Sequence, residues 1–128
     1  MFGGGGLPNN QGAFGQQENI NSNNDFEVPN MPTDSISCLS MAMNTGTNPP
    51  THVLAAGSWD NTVRVWMIQM QQGGGFGGAA NPQINANFYH EWNCGAPVLS
   101  CGLSQDGTIL VTGDCQNDVK LFQIQVGG

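Results

Sequence analysis

The chain has 128 residues, long enough to bury a core of useful size. Two basic residues stand against nine acidic ones, for a formal net charge of -7. Only Arg64 and Lys120 could meet a phosphate, which excludes nucleic-acid binding driven by counterion release and leaves the acidity to serve solubility.

From Met1 to about Asn30, Gly, Asn and Gln dominate and apolar side chains are too sparse to offset ordering entropy, so residues 1–30 are expected to be a disordered tail. Two Phe-Gly dipeptides punctuate it, Phe2-Gly3 and Phe14-Gly15. Apolar residues then recur at strand spacing. Strands are predicted over Ile36 to Met41, His52 to Gly57, Thr62 to Gln69 and about Asn85 to Tyr89. A Gly-rich stretch, 69–83, separates the third from the fourth. Further strands are predicted over Val98 to Leu103, Thr108 to Gly113 and Val119 to Gln125.

The strands repeat. His52 to Trp66 aligns with Thr108 to Phe122, each reading strand, tight polar turn, strand, and Ser35 to Met41 aligns with Pro97 to Leu103. From Gly57 to Gly113 the period is 56 residues, longer than the roughly 40 to 45 of a propeller blade. The Gly-rich loop and a longer turn over Asn44 to Thr51 account for the excess. In the first repeat Asp60 is suited to accept backbone N–H groups across the turn. Val63 and Val65 alternate with an outward Arg64, and Trp66 is expected to plug the repeat against its neighbour.

Chemistry is not indicated. Cys38, Cys94, Cys101 and Cys115 form no CxxC pair at zinc spacing, so no metal or other cofactor is expected and the thiols read as reduced and partly buried, in a nuclear or cytosolic protein. No apolar run reaches membrane-spanning length, so no membrane insertion is expected. His52 and His90 lack a nucleophile or carboxylate at a recognisable spacing and read as surface or strand-end residues. Gly73 to Gly78 lacks the Lys and Ser/Thr of a phosphate loop and reads as a linker. A non-enzymatic protein is expected.

Ser58-Trp59-Asp60-Asn61-Thr62-Val63-Arg64-Val65-Trp66 resembles the closing signature of a WD40 repeat, and Ala96-Pro97-Val98 with Ser104-Gln105-Asp106-Gly107 resembles the start of the next. The resemblance implies an all-β fold, a partial WD40 β-propeller of about two blades. Blade one would occupy 31–92 and an incomplete blade two 93–128, after a tail with a closing strand near 25–28. Gly57, Ser58, Asp60, Val63, Val65, Trp66, Asp106, Gly107, Gly113 and Phe122 would be the structural residues of the repeats. Departures are visible. Cys94 stands near the position of the usual His, and Gln116 and Phe122 replace the turn Asp and the Trp, so the usual polar tetrad cannot form in full.

Asp34 to Ser40, Ala56 to Asn61 and Gly95 to Leu99, with the Phe-Gly leader, resemble the nuclear-pore poly(A) RNA export factor family. That resemblance implies a scaffold at the nuclear pore, shuttling to the cytoplasm. It would bind a hairpin segment of an FG nucleoporin, contact RNA only through a larger complex and, at family level, bind ubiquitin. Trp59, Asp34 and Cys115 are the candidate partner contacts, with packing over the turn as the plainer role for Trp59, and Tyr89 and Trp92 are read as cover for the blade rim. A related WD40 adaptor of the mitotic spindle checkpoint is the alternative, and an incidental FG-type disordered segment a third. The chain reads as a truncated piece with open blade edges, prone to self-association.

Overall fold

The computed structural model describes residues 25–71 and 83–127; the Phe-Gly dipeptides and the run Gly73 to Gly78 lie outside the described residues. Strands β1 (Ile36–Asn44), β2 (Thr51–Ser58), β3 (Thr62–Gln71) and β4 (Gln83–Asn93) pair antiparallel in chain order. Strands β5 (Val98–Leu103), β6 (Ile109–Asp114) and β7 (Val119–Gln123) form a second antiparallel sheet, also in chain order. Two consecutive blades of an open, partial propeller result. Both first strands carry a bulge at the matching place, Ile36/Cys38 and Val98/Ser100, so the repeat read from side chains is also a repeat of backbone geometry.

Several strand ends lie beyond the expected ones. β1 continues past Met41 because Asn44 still pairs with Thr51, and β3 and β4 stay paired out to Gln71↔Gln83. Each added pair satisfies backbone groups that a loop would leave to water. At the other extreme β7 stops at Gln123. Residues 25–28, expected as a closing strand, join no ladder. Val28 instead packs on the Trp66 cluster of blade one.

The core lies between the two sheets. Alternation in β2 and β3 turns Val53, Ala55, Val63 and Val65 toward Cys94, Val98, Leu110 and Ile124. Burying each such Val or Leu side chain contributes about 1.5–3 kcal/mol. Gly57 sits tightly against blade two: a Cβ there would lie 2.5 Å from Val98 Cγ1 and 2.6 Å from Cys38 Sγ of the neighbouring strand. Gly107 has a different reason, a φ of +78° in the β5–β6 turn directly over Val53.

Side chains lace the inner strands together. Ser37 Oγ donates to Val98 O, Leu103 N donates to Ser40 Oγ at 3.1 Å, and Asn44 Nδ2 donates to Asp106 O at 2.9 Å. The other face of blade two is bare, and that of blade one is covered over β2 and β3 but open along β1. On blade one Leu39, Met41 and Met43 are exposed, and on blade two Ile109, Val111, Val119 and Leu121.

Candidate partner-binding face and the turns that build it

The β2–β3 turn is organised by one carboxylate. Thr62 N donates to Asp60 Oδ1 at 2.9 Å and Thr62 Oγ1 at 2.5 Å, while Thr33 N donates to Asp60 Oδ2 at 3.0 Å. Asp60 N in turn donates to Ser58 Oγ at 3.1 Å, and Asn61 takes the positive φ that closes the turn. Asp60 therefore holds both its own turn and the segment leading into β1.

Arg64, expected to point outward, is mostly covered. Its guanidinium lies 3.6 Å from Asp60 and 3.4 Å from Glu91, and it donates to Asn30 O at 2.9 Å and Met31 O at 3.2 Å. Trp66 lies on the same face of β3, 1% exposed, with Nε1 donating to Pro29 O at 2.6 Å. The indole thus plugs blade one under the lead 28–31 and against Phe88, on the side away from blade two. Period-two alternation explains the difference: Val63 and Val65 take the face toward blade two, so Arg64 and Trp66 must take the other.

Blade two builds its turn with another residue. Gln116, at the position aligned with Asp60, provides no carboxylate, and Asp114 two residues earlier replaces it. Gln116 N donates to Asp114 Oδ1 at 2.8 Å, Asp118 N at 3.2 Å, and Lys120 Nζ lies 3.4 Å from both Asp114 and Asp118. Asn117 repeats the positive φ of Asn61. Asp114 was detectable as the acidic residue aligned with Ser58, since an Asp accepts as readily from the residue two ahead there as at Asp60. Cys94, near the place of the absent His, sets its buried thiol 3.8 Å from Thr112 Oγ1. Phe122, in the place of the Trp, stacks on Trp92 with ring centroids 4.7 Å apart, so Trp92, expected as cover for the blade rim, joins the two blades. Tyr89 Oη accepts from Gln125 N at 3.2 Å, a second link of this kind.

The three candidate contact residues lie at one end of the two blades. Trp59 N donates to Ser35 O at 3.0 Å, beside Asp34, and Cys115 N donates to Pro97 O at 3.0 Å in the equivalent place of blade two. Trp59 is 47% exposed, and Asp34 and Cys115 are exposed. Asp106 and Gly107 sit in the β5–β6 turn, at the opposite end. Among the described residues no three metal-ligating side chains converge, and no helix is long and apolar enough to cross a membrane.

The WD domain, G-beta repeat, matches residues 28–67 and 87–123, more than half of the chain; the first match holds β1 to β3, and the second runs from within β4 through β7. The chain belongs to the WD40 family. The WD40 chain is 34% identical over 111 residues to protein Rae1 of Drosophila melanogaster, covering 87% of this chain and 28% of that protein. It is 35% identical over 103 residues to the poly(A)+ RNA export protein of Schizosaccharomyces pombe, covering 80% and 24%. To the mRNA export factor of Xenopus tropicalis it is 36% identical over 110 residues, covering 84% and 25%. The chain thus spans about a quarter of the length of the curated relatives it matches.

The WD40 turns carry a pH dependence. Burial alone would raise the Asp60 pKa, but the bonds from Thr62 and Thr33 and the Arg64 charge outweigh it and hold the carboxyl below its usual 3.8. Thr108 bonds lower Asp106, and the Gln116 N–H lowers Asp114 against the opposing effect of burial. Folded pKa values below the unfolded one mean that the unfolded chain binds more protons at low pH. Their contribution is therefore complete above about pH 5 and lost as pH falls through the unfolded and then the folded values. A series of thermal melts should show Tm steady from pH 7 to about 5 and falling below about 4, and Asp60→Asn should flatten the acid limb; an unchanged limb would remove Asp60 as a contributor.

Proposed function

We propose that this chain supplies the first two blades of a non-enzymatic WD40 scaffold for mRNA export, acting at the nuclear pore and shuttling to the cytoplasm. The single observation that carries the proposal is the 34–36% identity to proteins named as export factors over most of this chain. Those names favour export over the spindle-checkpoint role.

The partner surface follows from the turns. Trp59, Asp34 and Cys115 form the end of the blades on which a nucleoporin hairpin segment docks, Trp59 being the exposed aromatic anchor. Both described basic side chains are held in ion pairs, Arg64 by Asp60 and Glu91 and Lys120 by Asp114 and Asp118. RNA contact accordingly belongs to the larger complex and not to these blades.

Depletion of the protein should accumulate poly(A) RNA in the nucleus, read by in situ hybridisation with an oligo-dT probe, and an unchanged distribution would end the export proposal. In calorimetry with the nucleoporin hairpin peptide, Trp59→Ala should weaken binding by more than about 1 kcal/mol with the fold intact. Equal affinity would take Trp59 out of the contact surface.

A further inference from the structure

Two thiols from different blades face each other at the blade interface. Cys38 lies just after the β1 bulge and Cys101 in the middle of β5, with their sulfurs 3.1 Å apart although 63 residues separate them in sequence. Neither sulfur is in a disulfide, and both residues are half-buried, within reach of a small solute. A disulfide needs 2.03–2.05 Å, so the sulfurs have about 1 Å to close. The strands that carry them are pinned on both sides of the pair, by Ser37 on Val98 O and by Ser40 beneath Leu103 N. That register holds Cys38 opposite Cys101 in the folded state. Cys94 is buried against Thr112 and Cys115 is exposed at the β6–β7 turn, so neither competes for this position.

We propose that Cys38 and Cys101 are a redox-sensitive pair that closes to a disulfide in response to a hydroperoxide and staples blade one to blade two. The Cys38 sulfur attacks the terminal oxygen of the hydroperoxide; an S–O bond forms, the O–O bond breaks, and the departing alkoxide, or hydroxide from hydrogen peroxide, takes the thiol proton and leaves as alcohol or water. The Cys101 sulfur then attacks the Cys38 sulfur; the S–S bond forms, the S–O bond breaks, and the hydroxyl leaves as water with the Cys101 proton. Two thiols and one hydroperoxide become one disulfide and two oxygen products, water and the alcohol or water of the peroxide. Each sulfur loses one electron and the peroxide gains two.

The order of attack follows from the surroundings. Burial and the neighbouring Cys38 push the Cys101 thiol up to about 12, which makes it a poor first nucleophile. It reacts as the resolving sulfur, where contact with Cys38 makes the step intramolecular and compensates for the small thiolate fraction. In reducing conditions the same burial keeps the pair as thiols. Closing a loop of this length restricts the unfolded chain, so the oxidised form is the more stable one.

Treatment of the full chain with hydrogen peroxide, followed by alkylation and peptide mapping, should find Cys38 linked to Cys101 within one chain, with a mass loss of about 2 Da. Tm should rise by at least about 5 °C and fall back on addition of a dithiol reductant. Cys115→Ser should keep both responses, whereas Cys38→Ser and Cys101→Ser should each lose both. The link should also form faster in the native chain than in concentrated guanidinium. The proposal is overturned if the native parent chain shows no link between Cys38 and Cys101, if Cys38 ends as sulfinic or sulfonic acid instead, or if denaturation does not slow the linkage. The mapping of the parent chain decides the matter even if a serine variant fails to fold.

Discussion

Trp66→Ala should destabilise this chain by about 3–5 kcal/mol, the usual cost of emptying a buried aromatic site. The ring is 1% exposed and is surrounded by Ala56, Ile68, Val28, Leu54, Ile84 and Phe88. Its Nε1–H also fastens Pro29 O, so the substitution removes both the packing and the tie that holds the lead on blade one. Small domains have only about 5–15 kcal/mol of stability in total, and a loss of this size leaves a large unfolded population. Urea titration followed by circular dichroism gives the magnitude. Limited proteolysis gives the site, because cleavage around residues 25–33 should appear first. Trp66→Phe keeps most of the ring and loses the hydrogen bond, at about 1–3 kcal/mol for the acceptor left behind. An alanine variant as stable as the parent would show that the lead and Trp66 lie outside the cooperative unit.

Self-association is the second large effect. Ile109, Val111, Val119 and Leu121 share the face of blade two that points away from blade one, with Val119 72% and Leu121 68% exposed. They alternate with Leu110 and Thr112, which are buried against blade one. A contiguous apolar sheet face beside a strand edge is the surface on which chains associate. Light scattering after size exclusion should therefore give a mass above 13.5 kDa that grows with concentration. Val119→Lys combined with Leu121→Lys should shift the chain toward the monomer by placing charge on that face. A parent chain that runs as a monomer and melts in one sharp transition would defeat this expectation, and would mean that two blades bury enough surface by themselves.

The seven strands were legible from residues 36 onward, because alternation and turn chemistry act over a few residues; the all-β propeller was implied by the resemblance of the repeats to WD40. Asp60 at the first turn and the buried Val63 and Val65 were legible for the same reason. Position matching failed at the second turn. Gln116 marked a missing Asp, yet Asp114 supplies the carboxylate from two residues upstream, since what the turn requires is an oxygen within reach of two N–H groups and not a residue at one aligned place. Strand ends were missed by two to four residues where pairing continued into segments of weak apolar pattern, as at Gln71↔Gln83 and Thr62↔Asn93.

By itself the sequence determined everything that depends on local period: where strands run, which side chains share a face, where turns close and how little basic charge there is for RNA. Only the tertiary structure decided which neighbour each face meets. Arg64 looked like a solvent-facing residue and is instead held by Asp60, Glu91 and the carbonyls of Asn30 and Met31, because the lead folds back across blade one. Residues 25–28 carry the pattern of a strand but join no ladder, since a strand exists only where a partner edge is within hydrogen-bonding distance. Cys38 and Cys101 were two unrelated thiols in the sequence and are 3.1 Å apart in the fold, a proximity produced by blade packing across 63 residues, over which no local pattern carries information.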